Sequence, residues 1–135
     1  MDSEFADIVV VGAHLSGLPL NDELVALGAS FRRADRTAPL YRLFALDGTV
    51  PPKPGMLRVA QNGASLNVEV WRLDLRGFGA FVSRVPAPLC IGTVELADGV
   101  LCKGFLVEPI AVENSRDISE FGGWREYINR AEPAL

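Results

Sequence analysis

The segment Ile8-Val9-Val10-Val11-Gly12-Ala13-His14-Leu15-Ser16-Gly17 joins an apolar run to a glycine-flanked turn that carries the only histidine of the chain. The apolar run is continuous rather than alternating, which predicts a strand buried on both faces. A loop that follows a buried strand is held still by the scaffold and stays accessible, so such loops commonly carry functional sites. Because histidine titrates near neutral pH, His14 is the first candidate for chemistry.

Further strands and helices are predicted on either side of the proline-rich stretch 51–55. Apolar and β-branched runs predict seven strands, at residues 8–11, 31–34, 41–46, 56–60, 66–73, 91–96 and 100–107. Helical spacing predicts helices at 21–27 and 74–85, the first capped by Asn21 and ended by Gly28. A third short helix is predicted from the spacing of Phe121, Trp124, Tyr127 and Ile128.

Three turn signals predict how these strands are connected. Asn62-Gly63 predicts a hairpin between strands 56–60 and 66–73, and Asp98-Gly99 predicts a second hairpin between strands 91–96 and 100–107. Asp47-Gly48 predicts a turn after strand 41–46. The stretch Pro51-Pro52-Lys53-Pro54-Gly55 predicts an irregular connection, because its prolines lack the donors that a sheet needs.

These elements predict one domain over residues 1–135, of the α+β class. We expect a small mixed-sheet barrel, closed or strongly curved, with two or three short helices. Nearly half of the residues are hydrophobic and 22% are charged, which is ordinary for a globular protein. The net charge of −4 and the scattered basic residues argue against nucleic acid.

Composition also bears on location and on metals. No apolar stretch approaches the roughly 20 residues that span a bilayer. The N-terminus opens with Asp2, Glu4 and Asp7 rather than with a basic signal-peptide start, so a cytoplasmic location and no membrane partner are expected. Two cysteines, Cys90 and Cys102, and one histidine predict neither a disulfide framework nor a metal site. No nucleotide, flavin or biotin is expected either.

Several segments, in order and at similar spacing, resemble the C-terminal domain of allophanate hydrolase. They are Val11-Gly12-Ala13-His14-Leu15-Ser16-Gly17, Leu18-Pro19-Leu20-Asn21, Arg36-Thr37-Ala38-Pro39-Leu40-Tyr41-Arg42-Leu43-Phe44, Pro51-Pro52-Lys53-Pro54-Gly55, Val68-Glu69-Val70-Trp71, Pro86-Ala87-Pro88-Leu89, Ile91-Gly92-Thr93-Val94-Glu95-Leu96 and Lys103-Gly104-Phe105-Leu106. The resemblance implies a fold similar to that of γ-glutamyl cyclotransferases. Those enzymes use a glutamate after the helix as acid and base. Here Pro86-Ala87-Pro88 stands at that place, so ordinary cyclotransferase chemistry is not expected.

The same resemblance implies a function in urea-type nitrogen metabolism. The amidase domain of such enzymes releases ammonia from allophanate, and the C-terminal domain assists decarboxylation of the product, N-carboxycarbamate. The Ser–Ser–Lys arrangement of an amidase is absent from this sequence, so we expect no amidase activity of the chain itself. The expected partners are a small carboxylate or carbamate-type ligand and an amidase domain or protein. The sequence leaves undecided whether the protein forms a homodimer.

The chemistry of this reaction predicts roles for particular residues. Loss of CO2 is easier once the nitrogen is protonated, and His14 is the natural general acid. The resemblance implies that the loop from Gly12 to Gly17 binds a carboxylate. The backbone N–H groups of Leu15, Ser16 and Gly17, with the Ser16 hydroxyl, are candidates for such an anion nest. The structural alternatives are that His14 only packs and that Ser16 only bonds within the turn.

Four further residues are candidates for ligand binding. Arg42 could clamp a carboxylate, and Tyr41 could donate to it or shield it, although neighbouring strand residues face opposite ways. Lys53 is a candidate for the pocket rim or a solvated charge. Glu95 is a second acid/base, a partner that orients His14, or half of a cross-strand pair with Lys103, and the last interpretation is favoured. Arg42 as a surface ion pair and Tyr41 as a core residue are the alternatives.

Two other functions stay open. A non-catalytic module would keep the fold and the anion pocket and assemble with an amidase. That function predicts an exposed apolar patch, for which Phe121, Trp124 and Tyr127 are candidates. A binder or transferase acting on another small amide or amino-acid-like ligand is the third hypothesis. An enzyme instead predicts a concave pocket with His14 at its wall.

Overall fold

Eight strands and three helices form the α+β domain seen in the computed structural model, which describes residues 4–130. The elements are β1 (Phe5–Val10), α1 (Asn21–Ala26), β2 (Ser30–Arg36), β3 (Tyr41–Ala45), β4 (Pro54–Arg58), β5 (Asn67–Asp74), α2 (Leu75–Ser83), β6 (Leu89–Glu95), β7 (Leu101–Val107), β8 (Arg116–Asp117) and α3 (Trp124–Ile128). Two short 3-10 helices, Pro109–Val112 and Ser119–Phe121, flank β8. The predicted class, the seven predicted strands and the three short helices are confirmed, and the two-residue strand β8 was not predicted.

Strand β1 is the central strand of a five-stranded sheet with the order β2-β5-β1-β7-β6. It pairs antiparallel with β5 and parallel with β7. Ile8, Val9 and Val10 are each 0% exposed, which confirms the prediction of a strand buried on both faces. The sheet therefore holds the start of the His14 loop rigidly at the middle of the domain.

The second sheet contains three strands in the order β4-β3-β8, so the strands do not form one closed ladder. Strong curvature is nevertheless present, because the two edge strands of the large sheet meet at one end. A bridge joins Thr37, just after β2, to Leu96, just after β6. The N–H of Ala38 donates to the carbonyl of Glu95 at 2.9 Å beside it. The large sheet thus curls until its edges touch.

The predicted hairpin around Asn62-Gly63 is wrong. Strand β4 pairs with β3 in the small sheet, whereas β5 pairs with β1 and β2 in the large one. A tight primed turn needs positive φ at both central residues, and only Asn62, at 61°, has it. Gly63 instead packs on the backbone of residues 39–40, where a Cβ would lie 2.6 Å from the Pro39 carbonyl oxygen. The segment therefore leads from one sheet to the other.

Two boundaries also differ from the sequence predictions. Pro54 and Gly55 are not part of an irregular connection but begin β4, an edge strand whose first residue tolerates proline. Helix α2 is shorter than predicted, and Asp74 is its N-cap, with the Asp74 carboxylate accepting from the Gly77 N–H at 2.6 Å. No helix within residues 4–130 is long and apolar enough to cross a membrane.

Candidate functional site

The loop after β1 is held by hydrogen bonds at both of its ends. The Leu15 N–H donates to the Gly12 carbonyl at 3.0 Å. The Asn21 side-chain amide donates to the His14 carbonyl at 2.8 Å. Asn21 therefore does not cap helix α1 as predicted, since the N-cap position is Leu20 and makes no side-chain cap. The first residue of α1 fixes the backbone of His14 instead.

Two aromatic rings and one carboxylate hold the His14 imidazole. The ring stacks on Phe105 of β7 and meets the edge of Phe81 of α2, with centroids 5.1 Å apart in both pairs. His14 Nε2 lies 2.7 Å from Oε1 of Glu23 in α1. His14 is only 9% exposed. Elements from three parts of the chain thus fix one orientation of the ring.

Burial is the main influence on the protonation of His14, and it lowers the pKa of the imidazole below its usual value. The hydrogen bond that Nε2 donates to Glu23 and the negative charge of Glu23 oppose this shift without cancelling it. The positive charge of Lys53 lowers the pKa further. Burial therefore favours the neutral form of the His14 imidazole.

A cavity of about 200 Å³ opens beside His14. Its walls are largely apolar and include Leu20, Leu27, Val50, Val85, Leu89 and Phe105. Its charged lining residues are Glu23, Lys53 and Arg84. A smaller recess of about 20 Å³, bordered by Gly12, His14 and Lys53, adjoins it. His14 and Lys53 border both spaces. Of the two interpretations of Lys53, the pocket rim and a solvated charge, its position corresponds to the first.

Lys53 and Arg84 give this cavity its positive charge. Neither side chain makes a hydrogen bond or an ion pair with any residue between positions 4 and 130. Glu23, the acidic residue of the lining, is already engaged by His14. The chain is acidic overall, with a net charge of −4, yet two cations without an ion-pair partner within residues 4–130 face this cavity, against the single carboxylate of Glu23. Such a site attracts anions.

The anion nest expected from Leu15, Ser16 and Gly17 is not formed. The Leu15 N–H is used within the turn, and the Ser16 N–H donates to Glu69 Oε1 at 2.8 Å. The Ser16 hydroxyl also donates to Glu69, at Oε2 and 2.8 Å. Gly17 is exposed, with a φ of 78°. Because Ser16 bonds to β5, its hydroxyl does not point to the cavity that His14 borders.

Glu69 is the buried carboxylate that anchors this loop. Besides the two bonds from Ser16, it accepts from Trp71 Nε1 at 3.0 Å and from the Arg125 guanidinium at 3.1 Å. Glu69 is 8% exposed, so these donors replace the water that a carboxylate would otherwise need. Glu69 thus ties the His14 loop to helix α3.

Tyr41 and Arg42 lie away from this cavity. Tyr41 is 0% exposed in the core, where its hydroxyl oxygen accepts from the Glu95 N–H at 2.9 Å. Arg42 Nε donates to Asp117 at 2.9 Å, and another guanidinium nitrogen donates to the Asn62 carbonyl at 2.9 Å. Tyr41 is thus a core residue and Arg42 forms a surface ion pair, as the alternative interpretations of these two residues had it.

Glu95 also lies elsewhere, because its carboxylate faces Arg58 at 3.6 Å. The favoured pair with Lys103 is not formed, since Lys103 is opposite Thr93 in the ladder and donates to its hydroxyl at 3.2 Å. In the register of β6 and β7, Glu95 pairs with Leu101, so Glu95 and Lys103 lie two ladder positions apart. Glu95 therefore does not orient His14.

Sequence reasoning missed Glu23, Arg84 and the two aromatic rings against His14. Glu23 lies in the first turn of α1, within the predicted helix 21–27, where an acidic residue is common and did not stand out. Arg84 lies at the end of α2, next to Pro86-Ala87-Pro88. Phe81 lies within the predicted helix 74–85, and its ring packs on both the core and the histidine.

The apolar patch predicted for an assembly role is not exposed. Trp124 is 4% exposed and belongs to the core, and Phe121 and Tyr127 are half-buried and packed on each other. The guanidinium of Arg116 lies over both of these rings. In residues 4–130, no three histidine, cysteine or acidic residues cluster in a way that could hold a metal ion.

The sequence profile of the allophanate hydrolase C-terminal domain matches residues 6–129. The chain belongs to this family. It is 42% identical over 125 residues to the urea amidolyase of Saccharomyces cerevisiae, covering 90% of this chain and 7% of that protein. The domain therefore spans a small part of its curated yeast relatives.

Solved structures of family members have the same fold. Kluyveromyces lactis allophanate hydrolase superposes with a TM-score of 0.87 at 38% identity, over 91% of this chain and 21% of that chain. The protein c4763 of uropathogenic E. coli superposes with a TM-score of 0.86 at 38% identity, over 95% of this chain and 98% of that chain. A γ-glutamyl cyclotransferase, with a TM-score of 0.59 at 13% identity over 84% of this chain and 70% of that chain, shares the fold alone. The fold predicted from the resemblance is confirmed.

Proposed function

We propose that this family member binds N-carboxycarbamate, a nitrogen that carries two carboxylates, and assists its decarboxylation. The observation that carries the proposal is the pair of cations, Lys53 and Arg84, facing a cavity with His14 at its wall. The two cations outnumber the one carboxylate of the lining, Glu23, so a dianion is attracted, and apolar walls strengthen the attraction by excluding water. The ligand is small enough for a cavity of about 200 Å³.

His14 supplies the proton in this proposal. The carbon–nitrogen bond to one carboxylate breaks, its electron pair stays on nitrogen, and the carboxylate leaves as CO2. Nitrogen takes one proton from the imidazolium of His14, and carbamate is left. Carbamate then takes a second proton from solvent on its nitrogen, and its carbon–nitrogen bond breaks to release ammonia and a second CO2. Two negative charges beside His14 favour the imidazolium, so the bound ligand itself promotes the protonated form.

The relatives of this domain support this assignment of substrate. They include a urea amidolyase and an allophanate hydrolase, enzymes of urea and allophanate chemistry. This chain spans 7% of the yeast urea amidolyase, and its residues include no amidase arrangement. We therefore propose that an amidase domain or protein supplies the substrate, that the domain has no amidase activity by itself, and that both work in the cytoplasm.

The test is CO2 and ammonia release from N-carboxycarbamate generated freshly from allophanate by an amidase. Because both the spontaneous reaction and the His14 imidazolium need a proton, we would measure from about pH 6 to pH 8 and subtract the rate in buffer at each pH. Faster CO2 release with the wild type than with buffer, lost in His14→Ala, is the expected result. Equal rates with the wild type, with His14→Ala and with buffer alone would contradict the proposal and leave the assembly or ligand-binding function.

A further inference from the structure

We propose that Glu23 is a positioning residue that holds His14 by Nε2 and makes Nδ1 the nitrogen that exchanges a proton with a ligand in the cavity. The catalytic part of this proposal rests on the proposed function. The orientation of the ring rests only on the structure.

The contacts of the imidazole distinguish its two nitrogens. Nε2 lies 2.7 Å from a carboxylate oxygen of Glu23, and a carboxylate only accepts, so Nε2 carries a hydrogen. Nδ1 makes no hydrogen bond to any residue between positions 4 and 130. No fully buried side-chain nitrogen or oxygen in this part of the chain lacks a partner, so Nδ1 must be solvent-accessible. His14 borders both the cavity and the recess, and in this proposal the accessible Nδ1 lies on that side.

Packing also fixes the plane of the ring, so that the hydrogen bond to Glu23 selects between its two orientations. Phe105 stacks against one face of His14 at 5.1 Å, and Phe81 packs edge-on at the same distance. Asn21 holds the backbone of His14 from the first residue of α1, the helix that carries Glu23. The carboxylate of Glu23 is itself 55% exposed, so solvent screens its charge. Its main contribution is therefore the directed hydrogen bond.

The charged groups around the ring come from three elements. Glu23 belongs to α1, Lys53 precedes β4, and Arg84 follows α2, whereas β7 contributes the uncharged Phe105. Without an anion, burial and Lys53 favour the neutral ring. A dicarboxylate placed against Lys53 and Arg84 reverses the local charge and favours protonation at Nδ1.

The proton transfer then has a defined route. The Nδ1–H of the imidazolium gives its proton to the ligand nitrogen as the carbon–nitrogen bond breaks and CO2 leaves. His14 is left as the neutral tautomer with its hydrogen on Nε2, still bonded to Glu23. Water returns a proton to Nδ1 when the next dianion binds. No cofactor, oxidant or reductant enters this sequence.

The single histidine makes the orientation directly measurable by ¹⁵N NMR of the imidazole. In the wild type, the signal of Nδ1 is expected to move across a pH titration between its unprotonated and protonated positions, while Nε2 stays at its protonated position. Malonate, an unreactive dicarboxylate of similar shape, should raise the pH at which Nδ1 is protonated. Titration at Nε2 with Nδ1 unchanged would overturn the proposal.

Variants of α1 test the role of Glu23. Glu23→Ala should lower the pH of protonation and let both neutral tautomers appear, and Glu23→Asp should restore part of the wild-type behaviour. Asp22→Asn is the matched control, because it removes a neighbouring exposed charge that does not contact His14. An unchanged titration in Glu23→Ala would contradict the assignment.

Activity separates this proposal from the proposed function. Glu23→Gln should lower the His14-dependent acceleration of CO2 release about 10- to 100-fold, which is less than the roughly 10²- to 10⁴-fold that a general acid contributes in total. If the wild type does not accelerate CO2 release, the proposed function fails, and the NMR titration still decides the orientation. If acceleration depends on His14 but not on Glu23, the positioning role fails and the proposed function stands.

Discussion

Pro54 packs directly on the backbone of Gly12, and a Cβ added to Gly12 would lie 2.4 Å from Pro54 Cδ. This contact brings the proline-rich stretch 51–55, which includes Lys53, against the His14 loop. Gly12→Ala should force the two segments apart, destabilise the domain by about 1–3 kcal/mol and weaken malonate binding. Urea denaturation and calorimetric titration measure the two effects.

Gly79→Ala is the matched control for this variant. Gly79 lies in α2, and an added Cβ there would meet nothing within 4 Å. Alanine in a helix interior should stabilise the domain by about 0.5–1 kcal/mol. If Gly12→Ala is as stable as the wild type, Pro54 can move away from the added Cβ at little cost in stability.

Lys53 should contribute strongly to the binding of dicarboxylates. Lys53→Met removes one of the two cations that line the cavity while keeping much of the side-chain volume. Loss of a charge-assisted contact is expected to weaken malonate about tenfold, which corresponds to about 1.4 kcal/mol. Lys103→Met, on an exposed part of β7, is the control and should bind like the wild type. Equal losses in both variants would point to a general effect of net charge.

Glu69 should be more important for stability than for ligand binding. Glu69→Ala leaves the Trp71 N–H, the Ser16 N–H and Arg125 without their shared acceptor, which should cost about 2–4 kcal/mol. Urea denaturation measures the loss. Glu126 is exposed on α3, next to Arg125, so Glu126→Gln is the control and is expected to change stability by less than about 0.5 kcal/mol. A small effect of Glu69→Ala would mean that water satisfies these donors.

The stability of the domain should fall as the pH drops below the usual pKa of histidine. Burial lowers the pKa of His14 in the folded state, so the unfolded chain binds a proton first. The free energy of unfolding should therefore decrease from about pH 6.5 downward, until the folded state is also protonated. His14→Gln should flatten this part of the profile. Stability that rises with acidification in this window would contradict the assigned direction.

The strands could be predicted from sequence because each has a local pattern, but their partners could not. The run from Ile8 to Val11 identifies a buried strand without help from the rest of the chain. The pairing of β4 and β5 depends on contacts with β3 and β1, which no local turn signal reports. Asn62-Gly63 consequently predicted a hairpin where the chain passes between sheets.

The candidate site shows the same limit. His14 and Lys53 stood out by residue type and by loop context, and both border the cavity. Ser16 looked equally suitable, but its hydroxyl is taken by Glu69, a residue 53 positions away. Arg84 had no distinguishing local pattern. Only folding reveals which side chains are already engaged and which remain available.

The bridge between Thr37 and Leu96 has a consequence for the behaviour of the protein in concentrated solution. Unpaired strand edges act as templates on which other chains add strands and aggregate. Here the two edges of the large sheet form backbone hydrogen bonds with each other at one end. Along the rest of β2, the exposed arginines Arg32, Arg33 and Arg36 discourage a second copy from pairing through its own β2. The curl of the large sheet thus leaves less unpaired strand edge on which another chain could add.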